Sequence, residues 1–351
     1  MVNREVIDRI LTAGCQAPSG SNSQPWAFRI LEDNSISVIS FPEKDHPILN
    51  FSNRGTIIAI GALYENISIA ANNFGYISRY EINLNNPKNI LKITFEENNL
   101  TENQKSLYSA IFNRSTNRKK FKNTPLSQEF IGIVENFNND YLFTRSRLLV
   151  NQKEIDLLAK ASSINEIVML ENPTLHKLFF EEIIWDQEKE KKFKSGLFLK
   201  TMELGKPQEL IFKLIKNRWL MNILNFFGFS RFIAKENSKI YSTCGAMGGI
   251  IVKNNDMAFF EAGRLMQKIW LFATSKNLGF QLLTGILFLN QRVEAEQDIF
   301  SKIHVDYIKK SATKINNIFS TNNSEFVSMI FRIGESDPPS ARSSKKKPVI
   351  L

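Results

Sequence analysis

The sequence predicts an α+β protein of two pseudo-symmetric halves, each a mostly antiparallel sheet flanked by helices, with a helical lid inserted in the second half. Three observations carry this. Two long apolar helices, 56–74 and 261–276, occupy corresponding places in the two halves. Short apolar or alternating runs at 26–31, 35–40, 79–84, 91–95 and 326–333, bounded by turn residues, read as strands. A stretch from Glu166 to Lys239, rich in charge and aromatic residues, has no counterpart in the first half. The expected division is 1–110 for the first half and 111–351 for the second, with the lid at about 166–239.

In chain order, residues 3–14 read as a helix with Asn3 as its cap, Glu5 in the first turn and Val6, Ile10 and Ala13 on one face. A polar loop, 17–26, leads into a hairpin of two short strands. The helix 56–74 is apolar on nearly every side, as a central helix between layers is, and Gly75 stops it. Two further strands and a polar stretch, Glu96 to Gln104, close the first half. The second half opens with Arg114 to Phe121 and a helix capped by Ser127.

Setting Gly61 against Gly263 places Leu63 on Leu265, Ile67 on Ile269, Ile69 on Leu271 and Ala71 on Ala273. The stop Gly75 then falls on Asn277, and Gly and Asn are the residues that most readily take the left-handed conformation ending a helix. This is a weak internal repeat. Within the insertion, Leu210 to Lys235 interleaves Trp219, Phe226, Phe227 and Phe229 with lysines and arginines. Such a basic amphipathic stretch suits a membrane surface; the expectation preferred is a helical lid packing its aromatics on the body. Leu282 to Leu287 reads as a short apolar turn, 326–333 as a central strand, and the basic segment from Pro338 to Pro348 as a disordered end.

At 351 residues and 43% apolar composition, the chain is long enough for a sizeable core. Its two cysteines, Cys15 and Cys244, lie far apart with no Cys/His cluster, which argues against a disulfide framework or metal site and fits a reducing compartment. No secretory signal and no long apolar run is read, so a soluble, cytoplasmic protein with no membrane span is expected. Net charge is +10, but the basic residues are spread along the chain and no nucleic-acid motif accompanies them. No nucleic-acid partner is expected, and a phosphate-bearing cofactor can use some of that charge.

Conventional catalytic sets are missing. His46, His176 and His304 sit in no metal or carboxylate spacing, and no nucleophile elbow, P-loop or GxGxxG occurs. A cofactor must therefore supply the hard chemistry. The loop Ala17-Pro-Ser-Gly-Ser-Asn-Ser-Gln-Pro-Trp26 presents hydroxyls, a glycine and the amides of Asn22 and Gln24, suited to a flat, polar-edged ligand.

That loop resembles the flavin-contacting loop of the nitroreductase family, in which Ala-Pro-Ser, a short spacer and Asn precede Gln-Pro-Trp. Arg114-Ser-Thr-Asn-Arg118 with Phe121 and Pro125 is similar to the same family's phosphate-gripping segment, with one extra residue between the arginines. The likeness is greatest to the Acg-like tandem flavin oxidoreductases. Each half lacks the other's motif. The resemblance therefore implies one flavin mononucleotide (FMN) per chain, held between the first half's loop and the second half's arginines, as if the halves imitated two subunits.

The residues it implies at the cofactor are Pro18, Ser19, Gly20, Asn22 and Gln24 around the ring, with Asn22 on its polar edge. Arg114, Ser115, Thr116, Arg118 and Arg342 fall at the phosphate, with Lys345 and Lys346 nearby. The Gly285 backbone falls near flavin N5; no side chain is implied as catalytic. The implied activity is hydride or electron transfer from a nicotinamide nucleotide, NADH or NADPH, to a nitroaromatic, quinone or similar small-molecule acceptor. The alternative is a flavin-storage or sensing protein sealed by its lid. A tandem chain meets the family's two-fold interface internally, so a monomer is expected.

Overall fold

The computed structural model describes residues 2–98, 105–295 and 299–351. Helix α1 (Arg4–Gly14) starts where the Asn3 side chain accepts the Glu5 N–H and buries Ile7, Ile10 and Leu11. Strands β1 (Trp26–Ile30) and β2 (Ile36–Ser40) form the expected hairpin, with Trp26 opposite Ser40. Helix α2 (Arg54–Asn73) follows, then β3 (Tyr76–Ile82), β4 (Leu91–Glu97) and α3 (Lys105–Asn113). Most of the polar stretch expected at Glu96 to Gln104 lies outside the described residues.

The second half runs through α4 (Gln128–Asn136), capped by Ser127, and β5 (Thr144–Leu149). A helical segment comes next: α5 (Gln152–Ser162), α6 (Ile164–Glu171), α7 (Pro173–Glu181), β6 (Ile183–Ile184), α8 (Gln187–Phe193), β7 (Leu197–Phe198), α9 (Lys206–Ile215), α10 (Arg218–Phe226) and α11 (Phe229–Tyr241). The chain re-enters the body as β8 (Ala246–Lys253), α12 (Asp256–Ser275) and β9 (Gly279–Leu282), then α13 (Gly285–Ala295), α14 (Lys302–Ile318) and β10 (Glu325–Gly334). The apolar turn expected at 282–287 is instead the end of β9 and the first turn of α13. Apolar periodicity in so short a run does not separate the two.

The two main sheets correspond strand by strand. The first has the order β1-β2-β4-β3 and the second β5-β8-β10-β9, and the described pairings within both are antiparallel. Helices α2 and α12 are each 20 residues long and pack against each other. They cross at the aligned glycines. A Cβ on Gly61 would lie 2.1 Å from the Phe260 carbonyl oxygen, and one on Gly263 would lie 2.0 Å from that of Ile58. Only hydrogen fits there. The helices end alike, with Gly75 at φ +85° and Asn277 at φ +58°, the left-handed conformation that glycine and asparagine most readily take.

The larger core lies around this crossing and against the inner faces of both sheets. A second core fills the other face of the β8/β10 sheet, under α5, α13 and α14. Strand β10 is therefore buried on both faces. A bulge at Ser328 re-phases it, so that Val327 and Ile330 point to one core and Met329 and Phe331 to the other.

The helical segment between β5 and β8 has its own small core of Phe180, Ile183, Leu199, Ile215 and Met221. The expectation that its aromatics pack on the body is corrected here. Phe212 and Phe229 turn inward, but Trp219, Phe226, Phe227 and Phe232 stand exposed. Composition reveals an amphipathic helix without showing whether its second face is covered.

The basic C-terminal segment is also not the disordered end its composition suggests. Ser340 binds Glu203, Ser344 binds Glu190, and the backbone of Val349 and Leu351 pairs with Phe28 on β1. Long-range partners supply the order that local sequence lacks.

Candidate functional site

The loop after α1 is held in an unusual backbone. Ser21, Asn22 and Gln24 all have positive φ (42°, 58° and 53°), a region that costs non-glycine residues on the order of 1 kcal/mol each. Surrounding bonds hold it there. The Ser21 hydroxyl donates to Glu182 Oε2 over 2.5 Å, Ser23 to Asp45, and the Gln24 N–H to Ser19 Oγ.

The segment 114–121 leaves the end of α3 and is pinned by buried Asn117. Its N–H donates to the Phe280 carbonyl, and its amide donates to Ser336 Oγ and the Asp337 carbonyl, both at 2.8 Å. Arg332, missed by the sequence reading, fixes the far end. Fully buried on β10, it donates to Gln281 and to the carbonyls of Ile240, Thr243 and Lys119, and lies 3.9 Å from the centre of the Phe121 ring. Its place inside the apolar run 326–333, read as a central strand, is the signal that could have found it.

Two cavities of about 500 and 630 Å³ share walls at Pro18, Ser19, Thr116, Arg118 and Glu182, and form one cleft. The smaller adds Asn22, Arg114, Ser115, Arg342 and Lys345. The larger adds Gly20, Asp45, His46, Trp270 and Gly285 at the start of α13. Ten of the eleven residues expected at a cofactor thus line it. Gln24 does not: it is buried, and its amide binds the Asn22 and Lys194 carbonyls and the Lys346 N–H. Asn22 is on the wall, but its amide is engaged with the Lys194 and Ser344 carbonyls and with Lys345 Nζ. Both amides anchor neighbouring chain, a role that a motif does not distinguish from ligand contact.

The smaller end is strongly cationic. Arg114 donates to the Gln16 carbonyl at 2.9 Å and lies 4.4 Å from the centre of the Trp270 ring, with its Nε buried and unpartnered. Burial, and then neighbouring Arg342, lower its guanidinium pKa to about 10. Lys345 binds the Ala17 carbonyl and Asn22 Oδ1; burial and Arg114 hold its ammonium well below the usual lysine range. Among the described residues, no carboxylate pairs with Arg114, Arg342 or Lys345. Cations gathered in this way, partly out of water, favour an anion.

The larger end carries acids the sequence reading did not single out. Asp45 accepts from Ser23 and Thr56, Glu182 from Ser21, and burial raises both carboxyls above the usual range. His46 Nδ1 accepts the Ile48 N–H, leaving its proton on Nε2, and burial lowers its pKa. No signal in the sequence marks these groups, because the insertion brings Glu182 to them from far along the chain. Behind this wall Glu166 accepts from Tyr241 and Asn237, and burial pushes it up to about 7. Among the described residues, no group of three or more His, Cys, Asp or Glu side chains suits a metal ion, and no helix is long and apolar enough to cross a membrane.

No family model matches the chain. An uncharacterized protein of Mycobacterium tuberculosis is 21% identical over 339 residues, covering 96% of this chain and 47% of its own length. A provisionally assigned NAD(P)H nitroreductase of the same organism, acg, is 31% identical over 130 residues, 36% of this chain and 38% of that protein. The chain resembles nitroreductases. It spans less than half the length of these curated relatives. Among solved structures, iodotyrosine deiodinase bound to FMN and 3-iodo-L-tyrosine gives a TM-score of 0.38 at 10% identity, over 70% of this chain and 97% of that one. The FMN- and NADPH-dependent nitroreductase NfnB from a Sphigopyxis strain gives 0.38 at 7%, over 66% and 90%.

Proposed function

We propose that the chain is an FMN-dependent oxidoreductase of nitroreductase type, taking electrons from a nicotinamide nucleotide and passing them to a nitroaromatic, quinone or similar acceptor. The observation that carries it is the cluster of Arg114, Arg342 and Lys345, without a carboxylate partner among the described residues, at one end of a cleft whose other end reaches Gly285. The cleft is of the size that holds cofactors. The fit is supported by the orphaned Nε of Arg114 and by a cation set with no carboxylate partner among the described residues. The two motifs behind the nitroreductase resemblance meet there.

Arg114, Arg342 and Lys345 would hold the phosphate through charge-assisted hydrogen bonds, with the hydroxyls of Ser115 and Thr116 beside them. Pro18, Ser19 and Gly20 would line the ring, and Arg118, whose Nη1 binds the Thr201 carbonyl, spans both parts of the cleft. The bound flavin supplies hydride acceptance and release. The first-turn N–H groups of α13 face negative charge favourably, since a helix N-terminus is its positive end. His46, with its proton on Nε2, stands on the same wall as the carboxyls of Asp45 and Glu182, and nitro and quinone acceptors take up protons along with electrons.

In this reading the chain is a tandem pseudo-dimer in which the two halves together build one site. The sheets of identical order and the paired 20-residue helices support it. The visible spectrum of the purified protein, before and after NADPH or NADH under nitrogen, tests the activity. Yellow protein that bleaches on addition agrees with it; bound flavin that stays oxidised favours storage, and protein that takes up no FMN defeats both.

A further inference from the structure

We propose that helices α9–α11 dock the protein on an anionic lipid surface. The three helices are amphipathic, with their inner sides used. Phe212, Ile215, Met221, Leu224, Phe229 and Ile233 face the insertion's own core. Their outer sides are apolar as well. On α10, Trp219, Ile223 and Phe226 recur at helical spacing and are exposed, Trp219 by 72% and Phe226 by 85%. Leu210, Ile211 and Leu214 do the same on α9, which packs against α10; Phe227 is 79% exposed, and Phe232 adds an aromatic from α11. Apolar surface concentrated in this way marks an interaction site.

Charge decides the partner. Lys206, Lys213, Lys216, Arg231 and Lys235 are exposed around the patch, and among the described residues none has an acidic partner. Glu209 is the one acid between 206 and 235. A second copy of the chain would set these like charges against one another, and protein interface cores are depleted in lysine. A bilayer with anionic headgroups takes both features together. The aromatics enter the boundary between headgroups and acyl chains, while lysine stems lie along it with their ammonium groups in the phosphate layer. No span is required. The inference is independent of the flavin reading, because it rests on the face of the insertion opposite its core.

Flotation of the full chain with vesicles tests it, comparing phosphatidylcholine alone with phosphatidylcholine containing roughly 30% phosphatidylglycerol at low salt. The expected result is flotation with the anionic vesicles and a blue shift of tryptophan emission from Trp219. F226S/F227S should lose partitioning by about tenfold or more, and K213Q/K216Q should lose both partitioning and its salt dependence. All four side chains are exposed, so the variants should melt like the parent. Parent protein that stays at the bottom with anionic vesicles overturns the proposal, as do variants that float equally. A parent dimer that F226S/F227S converts to monomer, with no vesicle binding by either, assigns the patch to self-association instead.

Discussion

The guanidinium of Arg114 donates from Nη2 to the carbonyl of Gln16 over 2.9 Å, joining the end of α3 to the loop after α1 across 98 positions of sequence. This contact brings the two motif-bearing segments together at the cleft. Lys345 completes the junction from the C-terminal strap by binding Ala17 and Asn22.

Arg114 and Arg118 are the first residues to test. Arg114→Ala and Arg118→Ala should each weaken FMN binding by about 1.5 to 3 kcal/mol, the scale of a hydrogen bond to a charged group. Quenching of flavin fluorescence on titration reads the affinity. Wild-type affinity in both variants would remove the site from this cleft.

The helix crossing makes a sharper structural prediction. In Gly263→Ala the new methyl carbon meets the Ile58 carbonyl oxygen at 2.0 Å, and backbone cannot move aside as a side chain does. The helices must separate, with an expected loss of about 1 to 3 kcal/mol. Urea unfolding measures it. A variant as stable as the parent would mean that the helices do not cross at this residue.

Glu166 sets a pH dependence. Its carboxyl is raised from 4.5 to about 7 in the folded chain, chiefly by burial, so between those values the folded state binds more protons than the unfolded one. Stability contributed by this group therefore falls as pH rises through that window. Asp45 and Glu182, also raised by burial, act in the same direction. Glu166→Gln should flatten the decline between about pH 5 and 7 in thermal melts. A slope unchanged from the parent would show that Glu166 is not the group responsible.

Much of the fold is legible locally. The hairpin 26–40, the caps at Asn3 and Ser127, and helices ended by Gly75 and Asn277 follow from short-range propensity and hydrophobic period, which act within a turn or two of chain. The alignment of Gly61 with Gly263 has a physical counterpart, because the close approach of the two helices admits only glycine at both positions. The site is legible only in part. The Arg114 to Arg118 segment and the 17–26 loop announce themselves by composition and pattern, while the assignment of Asn22 and Gln24 to internal anchoring depends on Lys194, Ser344 and Lys346, which no local rule connects to them.

By itself, then, the sequence determined helices α1, α2, α4 and α12, strands β1 to β4 and β10, and the two polar segments that carry the nitroreductase resemblance. Tertiary structure alone decided that the C-terminal segment is a strap, that Glu182 faces Ser21, that Arg332 is a buried tie, and that the aromatics of α10 face outward. Each of these depends on which distant group removes or leaves water around a side chain. That is a property of the assembled surface, and neighbours in sequence do not encode it.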